Sequence, residues 1–120
     1  MVRSLSQVLL AGIFIKGGAD AFLEPGGRVE KVAAAGLPNP KVAVELNGAA
    51  MVAGGTMLAL GIMPRLAAAG LIASLVPTTI VGHAFWKEEP GPARETQKIQ
   101  FFKNLGLLGG LLLVLTQKED

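Results

Sequence analysis

The sequence predicts an all-α integral membrane protein: an antiparallel four-helix bundle with a short interfacial helix between its first and second crossings. Three observations predict it. Four apolar stretches are each long enough, at 1.5 Å per residue, to span a bilayer core of about 30 Å. The 120 residues are 51% hydrophobic and only 17% charged, with 16 glycines and a mean hydropathy of +0.51. Polar residues interrupt the apolar runs in a pattern: Lys16 and Asp20 late in the first, Glu45 early in the second, His83 late in the third, Lys103 and Asn104 early in the fourth. Chain direction reverses at each crossing, so late-early-late-early gathers them at one end of the bundle. Charge at membrane depth is costly and is paired, lines a cavity or serves function.

At this length the chain reads as one domain, residues 1–120. Glycine at this frequency in apolar runs suits membrane helices, where small residues let backbones approach. The absence of cysteine excludes disulfides, thiolate-held iron–sulfur clusters and Cys-ligated zinc. The net charge of +2 is spread over loops, and no clustered basic face suggests nucleic acid as a partner.

The first crossing is expected at Leu5 to Leu23, ended by Glu24-Pro25-Gly26-Gly27. Met1-Val2-Arg3 and Ala19-Asp20-Ala21 resemble the ends of a signal peptide, but Lys16 breaks the apolar region, so an uncleaved membrane helix is expected. In the connection from Arg28 to Lys41, Val29 to Ala35 suits a short amphipathic helix at the interface. The second crossing, Val42 to Ile62, is followed by a Met63-Pro64-Arg65 turn too short for anything but an antiparallel neighbour. The third, Leu66 to Trp86, contains Pro77, which should kink it, with Thr78 and Thr79 placed to satisfy freed carbonyls. A polar loop, Lys87 to Lys98, leads to the fourth crossing, Ile99 to Thr116, and a charged tail, Lys118-Glu119-Asp120.

Basic residues set orientation in short loops. The terminal face carries Arg3, Arg65 and Lys118; the other carries Arg28, Lys31, Lys41, Lys87, Arg94 and Lys98. The bias favours cytoplasmic long loops, with both termini on the same side, outside a bacterial or archaeal plasma (inner) membrane.

At about 100° per residue, Glu45, Gly48, Val52, Gly55 and Ala59 share one helix face, a carboxylate above a strip of small residues. Helices pack on such strips, so Gly48 and Gly55 are expected at a helix contact and Glu45 toward a neighbour. Asn47 lies nearly opposite, close enough to the interface to be solvated. Lys16 and Asp20 are four apart and can pair along their helix. Gln97, Gln100 and Asn104 form a polar stripe, with Lys103 offset and able to reach Glu45 or the headgroups. Gly106 and Gly110 have the GxxxG spacing of helix contacts. His83, one turn before Trp86, reads as an interfacial histidine or as a proton-exchanging group facing a pocket. No Glu-x-x-His spacing supports a metal, and no second axial ligand supports haem. No nucleophile–base–orienter set or phosphate loop is present, so the chain is not expected to be catalytic alone.

The same residues carry a family resemblance over nearly the whole chain. Its pieces are Arg3 with Gly12-Ile13-Phe14-Ile15 and Gly17-Gly18, then Gly36-Leu37-Pro38, Glu45-Leu46 with Gly48, and Leu60-Gly61 with Arg65. Pro77-Thr78 leads on to His83-Ala84-Phe85-Trp86, and Gln97 to Phe101-Phe102-Lys103-Asn104-Leu105 and Gly109-Gly110-Leu111-Leu112. The chain resembles a DoxX family membrane protein. The resemblance implies a four-helix membrane protein linked to quinone redox chemistry, as in thiosulfate:quinone oxidoreductase. It also implies membrane partners that handle thiols or superoxide.

Three functions follow as alternatives. One is an accessory subunit of a quinone-linked redox complex, with a quinone headgroup in a pocket formed by Lys16, Asp20, Glu45, His83, Gln100, Lys103 and Asn104. The second is a structural or assembly subunit that binds other membrane redox proteins or itself, its polar cluster fixing helix register. The third is a carrier of a small solute or proton, for which only the Pro77 break fits the usual midplane pattern.

Overall fold

The computed structural model describes residues 2–118; Met1 and the Glu119-Asp120 end of the charged tail lie outside the described residues. The elements are α1 (Val2–Leu23), α2 (Gly27–Ala34), α3 (Pro40–Leu60), α4 (Pro64–Gly82), a 3₁₀ turn (Phe85–Lys87) and α5 (Pro92–Thr116). Among the described residues four segments are long and apolar enough to cross a membrane: α1, α3, α4 with the turn after it, and α5. The bundle measures 47 × 29 × 19 Å.

Turn chemistry explains the boundaries. Gly61 takes φ +70 after α3, and the bonds Ile62 N–H to Met57 O and Gly61 N–H to Leu58 O, at 2.8 and 3.2 Å, close the helix as a Schellman motif. Met63 then turns the chain with φ 44, and Pro64 starts α4 at a position that needs no amide donor. Gly36 at φ +84 closes α2 in the same way, through Leu37 N–H to Val32 O and Gly36 N–H to Ala33 O. In α2, Val29 and Val32 are half-buried, whereas Arg28, Glu30 and Lys31 are exposed, the pattern of a helix lying in the interface.

Two expected boundaries move. The α-helical part of the third crossing ends at Gly82, and the chain reaches Lys87 through His83, Ala84 and the 3₁₀ turn. The loop expected up to Lys98 is shorter, because Gly91-Pro92 starts α5. Proline favours the first turn of a helix, and no breaker stands between it and Ile99. Helix α4 also continues through Pro77. The carbonyl released by that proline belongs to Ala73, but Thr78 donates to Ser74 O and Thr79 to Leu75 O, each its own residue one turn back.

The helices pack antiparallel, α1 on α3, α3 on α4 and α4 on α5. The α1–α3 contact is set by backbone. A Cβ built on Gly18 would lie 2.6 Å from Gly48 O, and one on Gly48 would lie 2.6 Å from Gly18 O. About two turns further along α3, a Cβ on Gly55 would meet Ile15 Cγ1 at 2.8 Å. Gly110 faces Leu10 at ordinary contact distance, while Gly106 has open space around it. The apolar core, centred on Phe14, Leu58, Leu71 and Leu111, fills the end of the bundle that carries the termini.

That end is also tied by polar bonds. Gln7 Nε2 donates to Leu58 O at 3.2 Å, Gln117 Nε2 to Gln7 Oε1 at 3.1 Å, and Arg65 Nε to Leu115 O at 3.1 Å. Arg3 reaches Lys118 O at 3.2 Å, so both chain ends lie on one side. Here α5 meets α1, through Leu10–Gly110 and Gln7–Gln117.

Because backbone blocks a side chain at Gly48, Gly48→Ala is expected to lower stability by about 1–3 kcal/mol, the usual range for overpacking. Gly106→Ala, facing open space, is expected to lose nothing. Reversible unfolding of both variants in mixed micelles checks the contrast.

Candidate functional site

At the other end the bundle opens into a cavity of about 730 Å³. Its walls come from every helix. Ile13, Phe14 and Gly17 of α1 stand across from Gln100, Lys103, Asn104 and Leu107 of α5. Asn47 and Met51 of α3 and Ser74, Leu75 and Thr78 of α4 form the back. Helix α2 lies over the top with Arg28, Lys31 and Val32.

Hydrogen bonds between helices fix the back wall. Ser74 Oγ donates to Asn47 Oδ1 at 2.7 Å, and Asn47 Nδ2 reaches Thr78 Oγ1 at 3.5 Å, joining α3 to α4. Asn104 Nδ2 donates to Thr79 Oγ1 at 2.9 Å, joining α5 to α4. Among the described residues no buried side-chain nitrogen or oxygen lacks a partner. In a bilayer core, where water cannot substitute, such satisfaction is required.

The mouth is built at the end of α4. Lys31 Nζ donates to Gly82 O at 2.8 Å, which caps the helix and anchors α2 over the opening. His83 Nδ1 is 2.7 Å from Gln97 Oε1. A carbonyl oxygen only accepts, so Nδ1–H donates, and the neutral ring keeps Nε2 as an acceptor. Below, Phe85, Trp86, Phe101 and Phe102 pack edge-to-face or stacked, with centroids 5.3 to 6.4 Å apart, pinning the 3₁₀ turn to α5. Lys98 Nζ lies 5.8 Å from the Phe85 centroid.

The sequence matches the DoxX family over residues 5–84. The chain belongs to the DoxX family. It is also similar to the inner membrane protein YphA of Escherichia coli (strain K12), 27% identical over 110 residues, which covers 92% of this chain and 78% of YphA. No solved structure matches the chain. The DoxX match takes in α1 to α4 and ends at Ala84, so Gln97, Gln100, Lys103 and Asn104 on α5 lie beyond it.

The structure divides the residues singled out from the sequence of this DoxX protein. His83, Gln100, Lys103 and Asn104 line the cavity together. Lys16, Asp20 and Glu45 share its end of the bundle but do not line it. Lys16 Nζ pairs with Asp20 at 2.8 and 2.9 Å on the outer face of α1, where the two side chains are 75% and 46% exposed. Glu45 is half-buried on the face of α3 that carries Gly48 toward α1, and it forms no ion pair with Lys103. Asn47, expected to be solvated, instead joins α3 to α4. The signal for it was on the partner helix: Ser74 and Thr78 are one turn apart and present two hydroxyls to one facing residue. Arg28 and Lys31 had no local signal, because their place over the cavity depends on where α2 docks.

Interhelical hydrogen bonds in bilayers average about 0.6 kcal/mol and reach about 1.7. A double-mutant cycle of Asn47→Ala and Ser74→Ala is expected to give a coupling in that range, read from unfolding in micelles. A coupling near zero would mean that this bond does not hold α3 against α4.

Proposed function

We propose that this DoxX protein is an accessory subunit of a quinone-linked redox complex in the inner membrane, and that its cavity holds the quinone headgroup. The cavity is the observation that carries this reading. About 730 Å³ lies in the range of small-molecule sites, and its lining is mostly apolar with a few polar groups at one end. The residues present fit a headgroup with two carbonyl oxygens. Asn104, Gln100 and Lys103 offer donors from α5, and His83 stands at the mouth beside Gln97. Ile13, Phe14 and Leu107 offer apolar surface to a ring or tail.

A bound quinone supplies the capacity to take up electrons and protons. The protein's own part is to orient the headgroup and to exchange a proton with it at His83 Nε2. With no cysteine and a single histidine, the chain relies on a partner for electrons.

The test is quinone-analogue binding by protein purified in mild detergent, with extraction of co-purifying lipid. Gln100→Leu is expected to weaken analogue binding about tenfold, a loss of about 1.4 kcal/mol, with helix content unchanged. Protein that carries no quinone and binds no analogue would end this reading.

One observation favours a second role, in assembly. The Lys16–Asp20 pair faces outward at membrane depth, where a neighbouring subunit would cover it. Lys16→Leu combined with Asp20→Leu is then expected to lose co-purifying membrane proteins while analogue binding persists.

The excess of basic residues around α2 and the loop before α5 supports cytoplasmic placement of that end, with both termini outside. A C-terminal fusion is expected to be active with a reporter that works only outside the cytoplasm; activity of a cytoplasm-only reporter would reverse the orientation.

A further inference from the structure

The charges on the cavity lining are all of one sign. Arg28, Lys31 and Lys103 line it, and no aspartate or glutamate does. The nearby carboxylates are committed elsewhere or turned away: Asp20 is paired with Lys16, and Glu24, Glu30 and Glu45 are absent from the walls. The cations still have donors to give. Lys31 uses one of its three on Gly82 O, and Arg28 uses one on Glu24 O at 3.2 Å. Lys103 has no hydrogen-bond or ion-pair partner among the described residues. The cations come from two elements, Arg28 and Lys31 from α2 and Lys103 from α5, and all three residues line the same cavity.

We infer that the cavity selects an amphiphile with an anionic headgroup, held between Lys103, Lys31 and Arg28, with its apolar part lying between α1 and α5. Three exposed cations around one cavity, with no carboxylate in its lining, make the mouth positive, and an anion there would take up the free donors. The space beneath them, between Ile13 and Phe14 on one side and Leu107 on the other, is apolar and suits a ring or an acyl chain. Helices α1 and α5 meet near the termini, and at this level both contribute wall to the cavity.

This rests on the reading of the cavity as a ligand site, but not on the ligand being a quinone. The experiment separates the two. The full chain is placed in nanodiscs of uncharged-net phosphatidylcholine, and binding is followed by calorimetry with two matched pairs of probes. One pair is an alkylated hydroxynaphthoquinone, ionised at neutral pH, and its methyl ether, which cannot ionise. The other is palmitate and its methyl ester.

The ionised member of each pair is expected to bind about tenfold or more tightly than its neutral match. Lys103→Met is expected to abolish most of that preference, cutting the affinity for the ionised members about tenfold more than that for the neutral ones. Lys31→Met is the second variant, with a melting curve to confirm that α2 remains docked. Equal binding of the ionised and neutral quinones, with or without palmitate binding, would overturn the anionic selection and leave the quinone reading standing. Binding of palmitate without either quinone would support the anionic site and overturn the quinone reading. A preference that survives both lysine substitutions would show that these cations are not its source.

Discussion

Everything about this bundle depends on how closely α1 lies against α3. At Gly18 and Gly48 each backbone carbonyl occupies the space where the other helix would carry a Cβ. Lipid tails are as apolar as leucine, so burial against them gains little, and close van der Waals contact along small residues is what joins helices in a bilayer. The contact has a geometric cost. It draws α1 toward α3 at the level of Gly18, while Gln7, Leu10 and the terminal bonds keep α1 against α5 at the other end. Two helices held together at one end and drawn apart at the other leave a wedge between them. The cavity lies at that end, with α1 and α5 both in its wall.

The polar side chains follow from the same division. Where the helices close, leucine, alanine and phenylalanine fill the space and the termini are tied by glutamine and arginine bonds to carbonyls. At the cavity end Ala21, Val44 and Leu75 are still buried, and Asn47, Ser74, Thr78, Thr79 and Asn104 add directional bonds between α3, α4 and α5. Each such bond is modest in a bilayer, but its loss leaves groups without water to turn to. The polar wall of the cavity is therefore part of what holds the helices together.

This explains what could be read from the sequence and what could not. Helix number, direction and the existence of α2 were legible, because hydropathy and turn residues act locally. The gathering of polar groups at one end was legible too, because it needs only chain reversal. Which of them face one another was not. Glu45 and Gly48 share a face, and the face belongs to the α1 contact rather than to the cavity; helix periodicity gives the face but not the neighbour. Gly106 and Gly110 have the spacing of a packing pair, yet only Gly110 meets another helix, because α5 leans on α1 near the termini alone. The start of α5 at Pro92 was hidden by the polarity of its first turns, which stand clear of the apolar span.

The distribution of charge is consistent with this geometry in energetic terms. A lysine and an aspartate four residues apart neutralise each other on the outer face of α1, where no other cation is needed. The cavity cations have no such partner in the wall, and isolated charge deep in hydrocarbon is expensive. Their positions reduce that expense. Arg28 and Lys31 sit on α2, which lies at the interface rather than across it, and Lys103 is early in the apolar part of α5 with a long stem that reaches toward the same level. Moved one or two turns deeper, the same three charges would have to be matched by carboxylates to be tolerated. At the depth where they stand, headgroup water can hydrate them when the cleft is empty. The fold can therefore keep a one-signed lining at its mouth, and an apolar lining below it, without a permanent counter-ion.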